Sequence, residues 1–212
     1  VVKDAILVDD MTYEEAMELA FFGSKVLHPK TLAPLAAKGI EAWSLNSMDP
    51  RVRGTRIGKG PFESSNSVGP VRGISCLKKV SMISVSGNGM RGRSGMASRI
   101  FASVSSAGIS ILLITQSSSE YTISFCVKDE QAYKVQDVLE AELSLEIRDG
   151  LINPVQVKKD CAVVSVVGDG VISNGGIAAK FLDAISSQDI NILAIAQGSS
   201  ESCISAVVSG CD

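Results

Sequence analysis

Two glutamines stand at matching places in this sequence, and both have the chemistry to bind a small polar ligand. Gln116 and Gln197 each follow a short apolar run and lie 81 positions apart. A side-chain amide offers two hydrogen-bond donors and an acceptor, so it can bind the ammonium or the carboxylate of an amino acid. The alternative is that each Gln bonds its own turn, and recurrence alone does not decide between the two.

A glycine-rich turn precedes each glutamine. In the first, Gly87, Gly89 and Gly92 form a literal G-x-G-x-x-G dinucleotide motif. A dinucleotide site needs an acidic residue at the end of the second strand, but that strand ends at Gln116, and Ser173 replaces the third glycine in the second turn. We expect tight turns whose backbone N–H groups suit a small carboxylate. Nucleotide binding by Gly87, Gly89 and Gly92 stays open as the alternative.

These residues belong to one module that occurs twice. Residues 84–127 align without a gap onto residues 165–208, with 19 identities in 44 positions. Two small domains built on one plan often form a site at a shared interface, so the repeat favours sensing or regulation.

Hydrophobic periodicity predicts the elements that position these residues. The first repeat has the order β-α-β-β-α-β, which predicts an α+β, ferredoxin-like sheet with helices on one face. The predicted strands are 80–86, 109–115, 122–127 and 145–157, and the predicted helices are 95–107 and 129–143.

The second repeat, residues 161–209, lacks the second helix and the final strand. Either the polypeptide is truncated there, or residues 71–77 fill the vacant edge of its sheet.

Residues 1–57 have a different pattern. Thr12 and Glu15 form a capping box, which predicts a helix from Tyr13 to Phe22. A second helix is expected at 30–38, ending at Gly39, then a strand at 40–45. The Gly-, Ser- and Pro-rich residues 58–70 indicate a linker.

Composition excludes several classes of function. The 212 residues are 45% hydrophobic and 20% charged, and the net charge of −3 gives no reason to expect nucleic acid or an anionic membrane. No apolar run approaches the roughly 20 residues of a membrane helix. One His and five scattered Cys predict no metal site and reduced thiols in a cytosol-like compartment. The chain starts at Val1 rather than Met, so we expect it to begin within a longer protein.

With its glycine turn, the repeat resembles the ACT domain, a small amino-acid-sensing module. The residues before it, F-G-S-K-V-L-H-P at 22–29 and P-R-V-R-G-T at 50–55, resemble the aspartokinase family, with Ser24 for Ala and Asp49 for Asn as mild departures. The phrases around the two glutamines, L-I-T-Q-S-S-S-E and A-I-A-Q-G-S-S-E, are most similar to bifunctional aspartokinase–homoserine dehydrogenases. The resemblance covers essentially the whole chain.

The resemblance implies a domain plan. Residues 1–57 would end an α/β amino-acid kinase domain, with Lys25 lining its ATP site, and residues 58–70 would be the linker. The first ACT domain would span 71–160 and the second 161–212, the latter completed by 71–77.

The resemblance also implies a regulatory region that binds threonine and transmits feedback inhibition. Lysine or methionine remain alternative effectors, and a structural dimerisation module or a nucleotide-binding catalytic fragment remain alternative functions. The whole protein would use ATP with Mg²⁺ and, if bifunctional, NADPH, whereas this segment alone needs no cofactor. It is expected to be inactive, because the family's K-F-G-G-T motif and a dehydrogenase domain are absent from it. A homodimer through the ACT sheets is expected, in the cytoplasm, or in a plastid if the source is a plant.

By resemblance, Gln116 and Gln197 match the threonine-contacting glutamines of the two ACT domains. The first is tied chiefly to kinase inhibition and the second to dehydrogenase inhibition. The other predicted effector-binding residues are Asn88, Gly89, Met90, Ile111, Asp169, Gly170 and Ile192.

Overall fold

Two units make up the computed structural model, which describes residues 5–23, 27–60, 62, 69–197 and 202–210. The first unit contains residues 1–77, 164–189 and 197–206, and the second contains residues 78–163, 190–196 and 207–212.

The first unit opens with a small sheet and two helices. Its elements are β1 (Asp10–Thr12), α1 (Tyr13–Phe21), α2 (Pro29–Lys38), β2 (Ala42–Ser44) and β3 (Thr55–Gly58). Strand β3 lies between β1, which is parallel to it, and β2, which is antiparallel.

Both helix predictions for this part are confirmed. The Thr12 hydroxyl accepts from the Glu15 N–H at 3.2 Å, and the Glu15 carboxylate accepts from the Thr12 N–H at 2.8 Å, which completes the capping box. Helix α2 ends at Gly39 in the left-handed conformation, at φ 64°. The predicted strand at 40–45 is shorter in the structure, where it is β2.

The first repeat forms most of the second unit. Strand β4 (Gly73–Ser86) leads into a 3₁₀ turn at 88–90, and the next elements are α3 (Met96–Ser106), β5 (Leu113–Gln116), β6 (Thr122–Lys128), α4 (Ala132–Glu142), α5 (Ser144–Arg148) and β7 (Gln156–Val167). Residues 80–86 of β4 pair antiparallel with β6, and β5 pairs antiparallel with the other side of β6.

Two predicted strands are partly wrong. The strand predicted at 109–115 begins only at Leu113, because the Ile109 N–H still bonds the Val104 carbonyl at 3.3 Å and closes the end of α3. The strand predicted at 145–157 begins only at Gln156, and its first part is instead helix α5.

The core of the second unit lies between the sheet and helices α3 and α4. On α3, Met96, Ile100 and Val104 are buried, whereas Phe101 is only partly buried and meets Phe125 edge-on, with 5.9 Å between ring centroids. On the inner face of α4 and at its C-terminal end, Ala132, Val135, Leu139 and Leu143 are buried, whereas Val138 is only half buried.

The second repeat continues with α6 (Gly170–Ser173), α7 (Ile177–Ser186), β8 (Ile192–Ala196) and β9 (Cys203–Ser209). The strands are hydrogen-bonded in the order β5-β6-β4-β7-β9-β8. Strand β4 starts at Gly73, beside β7, and the Arg72 N–H just before it donates to the Val167 carbonyl at 2.7 Å. Strand β4 therefore begins before the first repeat and lies between β6 and β7.

Helices in the described part of the chain are too short or too polar to cross a membrane.

Candidate functional site

Each glycine turn packs closely against the chain that leads into a strand of its own sheet. At Gly87, where φ is 154°, a Cβ would overlap the Leu151 carbonyl oxygen and lie 2.7 Å from the Ile152 Cα. At Gly168, the counterpart 81 positions later, a Cβ would overlap the Pro70 carbonyl oxygen. Pro70 and Leu151 are themselves 81 positions apart. Close backbone approach therefore explains the glycine in both repeats.

Backbone N–H groups in the first turn are bonded inside the protein. The Gly87 N–H donates to the Tyr121 carbonyl at 3.1 Å, and the Gly89 N–H donates to the Leu151 carbonyl at 2.8 Å. The Gly92 N–H donates to the Glu120 carboxylate at 3.2 Å. The expectation that these N–H groups are exposed for a carboxylate is therefore wrong. A dinucleotide pyrophosphate would need the same groups, so the nucleotide alternative loses its main support.

A cavity of about 360 Å³ opens beside this turn, in the volume range of small-ligand sites. Four residues with polar or charged side chains line it: Gln116 at the end of β5, Glu120 in the following hairpin, and Arg93 and Ser94 after the turn. Gly92, Gly95 and Ala97 also line it, and Met90, Met96 and Ile123 form its apolar part.

Helix α3 begins at this cavity and has no side-chain cap. Its N-cap residue is Gly95, at φ 90°, which has no side chain to accept from the first-turn N–H groups. Such a helix start carries partial positive charge and unpaired donors, which attract an anion. Arg93 adds a positive charge and Glu120 a negative one. The cavity therefore offers complementary groups to both ends of an amino-acid zwitterion.

The structure brings together only some of the predicted residues of the first repeat. Gln116 and Met90 line the cavity. Gly89 is buried in the turn, Asn88 is exposed, and Ile111 packs against the core. These three do not line the cavity.

Sequence reasoning missed two charged groups of the cavity. Neither Glu120 nor Arg93 was predicted as a site residue. A signal for Glu120 existed, because Glu201 stands at the same distance after Gln197.

The second repeat places its predicted residues on corresponding elements. Gln197 is exposed just after β8, and Ile192 is the half-buried first residue of that strand. Gly170 begins α6, and the Asp169 N–H donates to the carboxylate of Glu15. Residues 198–201, the counterpart of the Glu120 hairpin, lie outside the described residues, as does Lys25.

Two buried cysteines, Cys126 and Cys161, are poor nucleophiles. Burial raises the pKa of the Cys126 thiol to about 12 and also raises the pKa of Cys161. A thiol becomes a nucleophile only as the thiolate, so both act as apolar core residues. Within the described ranges, no group of three or more His, Cys, Asp and Glu side chains could hold a metal ion.

Comparison with known proteins identifies the family of the chain. The family model described as the ACT domain matches residues 83–143 and 164–212, which is more than half of the chain. The chain belongs to the ACT domain family. As an ACT protein, it is similar over 207 residues to the bifunctional aspartokinase/homoserine dehydrogenase of Haemophilus influenzae, with 48% identity. That match covers 98% of this chain and 25% of the relative, so the chain spans about a quarter of that protein's length.

Solved aspartate kinases show the same fold. The enzyme from Clostridium acetobutylicum superposes with a TM-score of 0.85 at 24% identity, covering 100% of this chain and 47% of that one. Escherichia coli aspartokinase III in complex with lysine and aspartate superposes with a TM-score of 0.72 at 25% identity, covering 100% of this chain and 45% of that one. The predicted tandem ACT fold and the aspartokinase resemblance are both confirmed.

Proposed function

We propose that this aspartokinase-type ACT region belongs to a bifunctional aspartokinase–homoserine dehydrogenase and binds threonine for feedback inhibition. The observation that carries the proposal is the cavity at the start of α3, where Gln116, Glu120 and Arg93 converge. In this proposal, ATP, Mg²⁺ and NADPH serve the catalytic domains of the whole protein, and none of them binds the ACT domains.

The cavity suggests how an amino acid would lie in it. The ligand carboxylate would bind the first-turn N–H groups of α3 beside Arg93, because both are positive. The ammonium group would bind the Glu120 carboxylate and the Gln116 carbonyl oxygen. A short side chain such as that of threonine would then contact Met90 and Ile123, which line the same cavity.

The regulatory step is a shift of population between two arrangements of the protein. Threonine can bias them only by the difference between its affinities for the two arrangements. A residue that binds threonine therefore regulates activity only if other contacts connect its site to the kinase segment.

A panel of ligands tests the proposal against its competitors. Thermal unfolding of the chain would be followed with threonine, lysine, methionine and NADPH. A single-site ligand at a hundredfold excess over its Kd adds about 2.7 kcal/mol to the free energy of unfolding. We expect this gain with threonine. Lysine is the sharpest competitor, because the E. coli structure contains it, and a gain with lysine alone would contradict threonine as the effector.

The other outcomes separate the remaining alternatives. A gain with NADPH alone would favour the nucleotide-binding alternative. The absence of any gain would favour a structural dimerisation module.

A further inference from the structure

Glu15 is a buried carboxylate with partners far apart in the sequence. Its side chain is in the first turn of α1, and the residue is 1% exposed. One oxygen, Oε2, accepts from the Thr12 N–H at 2.8 Å, which is the local capping-box bond. The other, Oε1, accepts from the Asp169 N–H at 2.9 Å and lies 3.4 Å from the Arg72 Nε. A capping box accounts only for the first of these bonds.

Burial makes these contacts mutually dependent. A carboxylate out of water is costly unless hydrogen bonds or a cation compensate each oxygen. Glu15 gains two backbone donors and a guanidinium, all within the first unit. If Asp169 moved away, Oε1 would lose a backbone donor inside the protein. The glycine turn of the second repeat and the start of α1 are therefore expected to move together.

Asp169 also connects to the start of β9. The Ser202 hydroxyl donates to Asp169 Oδ1 at 2.8 Å, and the Gly168 N–H donates to the Ser202 carbonyl at 2.8 Å. Hydrogen bonds therefore run without interruption from Ser202 through Asp169 and Glu15 to the Thr12 N–H.

We propose that Glu15 is a positioning residue that couples the glycine turn of the second repeat to helix α1. Through this link, a change at the second repeat reaches the segment that resembles the end of an aspartokinase domain. The link itself does not depend on the ligand, whereas its use in regulation rests on the proposed function. A continuous chain of contacts is not itself evidence of coupling, so the two parts are tested separately.

The link is tested first without ligand, by amide hydrogen exchange on the 212-residue chain. Ser202→Ala removes the hydroxyl at one end of the link, and the exchange rates are measured at the other end, at the Thr12 and Glu15 amides. This hydrogen bond to the Asp169 carboxylate is exposed to solvent, so its loss corresponds to only about a fivefold change in an opening equilibrium. We therefore expect about fivefold faster exchange there. Ser187→Ala is the matched control: it removes a hydroxyl that donates to the Ala184 carbonyl at the C-terminal end of α7, and it should change neither rate.

Glu15→Gln shows whether the effect passes through the carboxylate. In that background, Ser202→Ala should no longer change the Thr12 amide. If Glu15→Gln does not fold, Arg72→Gln replaces it, and the effect of Ser202→Ala should shrink in the same way. Two results would overturn the link. In the first, the exchange rates of the Thr12 and Glu15 amides in Ser202→Ala stay within about twofold of wild type. In the second, the double variant changes these rates by the product of the two single effects, which shows that the substitutions act independently.

Threonine then tests the regulatory use of the link. In the wild-type chain, saturating threonine should change exchange at the Thr12 and Glu15 amides by about fivefold, and Ser202→Ala or Glu15→Gln should remove that response. If threonine slows exchange at Met96 and Ala97 but leaves α1 unchanged, the regulatory role is wrong and the proposed function stands. If threonine changes no amide, the proposed function is wrong, and the ligand-free experiment still decides the link.

Discussion

The glycine at position 87 allows the first glycine turn to pack closely against the backbone at Leu151. We predict that Gly87→Ala destabilises the chain, because its Cβ would overlap the Leu151 carbonyl oxygen and φ is 154°. Backbone strain of this kind costs about 1–3 kcal/mol, and the overlap adds to it. Gly150→Ala is the control, since its φ is 71° but nothing lies within 4 Å of the added Cβ. Denaturant unfolding measures both, and equal stability of the two variants would contradict the packing role.

At the scale of single residues, local contacts could be predicted from the sequence, whereas long-range contacts could not. The Thr12–Glu15 capping box was predictable, because both residues lie within one turn of chain. The bond from Glu15 to Asp169 was not, because the two residues are 154 positions apart and no local pattern connects them. Gln116 was found through recurrence, and its place in a cavity follows from the register of β5 on β6.

Helix α5 is held in place by Arg99, which projects from α3. The Arg99 Nε donates to the Glu142 carboxylate at 2.9 Å, and Nη2 donates to the Glu142 carbonyl at 3.0 Å. Nη1 donates to the Glu146 carboxylate at 2.5 Å, which holds the pKa of Glu146 below its usual range. A strand at 145–148 would lose the contact between Arg99 and Glu146.

We therefore predict that Glu146→Gln lowers the free energy of unfolding by about 0.5–1 kcal/mol at pH 7. The loss is modest because the Arg99 side chain is 39% exposed and solvent screens the pair. The pKa of Glu146 is lower in the folded state than in the unfolded one, so its contribution is fully present above the unfolded pKa, near 4.3. It is lost as the pH falls through the folded pKa.

Urea unfolding of both proteins between pH 7 and pH 3 measures this difference. The exposed Glu130→Gln is the matched control and should leave stability unchanged. A deficit in Glu146→Gln that stays constant down to pH 3 would contradict the ion-pair explanation.

At the scale of elements, the errors have a common physical cause. Leu145 and Ile147 belong to a segment whose apolar pattern suits a strand or a helix. The side chain of Arg99, 46 positions before Leu145, favours the helix. The alignment also indicated that the second repeat lacks a final strand of its own. It could only suggest residues 71–77 as the source of that strand, because strand pairing over that distance leaves no local signal.

The whole molecule exposes apolar side chains on two strands that contact each other within the second unit. Ile114 of β5 is 48% exposed, and its repeat counterpart Ile195 of β8 is 43% exposed. Exposed apolar strands are normally covered or paired. We predict that the chain dimerises through this face and that the double variant Ile114→Lys/Ile195→Lys is monomeric. Sedimentation equilibrium at micromolar concentration tests this, and a wild-type monomer of 22.2 kDa would contradict it.

The overall fold was easier to predict from the sequence than the cavity. An ungapped repeat of strand, glycine turn and helix specifies an ACT-type sheet twice, and the burial of Ile100, Val104 and Leu139 follows the predicted periodicity. The cavity was less predictable, because Gln116, Glu120 and Arg93 meet only after the hairpin folds back onto the glycine turn.

Calorimetric titration of threonine tests the central claim, that the first ACT domain binds threonine through Gln116. We predict that threonine binds the wild-type chain and that Gln116→Ala weakens this site about ten- to a hundredfold, since a hydrogen bond to a charged group contributes roughly 1.5–3 kcal/mol. Gln197→Ala should weaken only the second site, unless the two sites are linked. Gln131→Ala, in the 3₁₀ turn before α4, is the matched control and should bind as wild type does. Unchanged threonine binding in Gln116→Ala would contradict the account, as would a wild-type chain that binds lysine or methionine but not threonine.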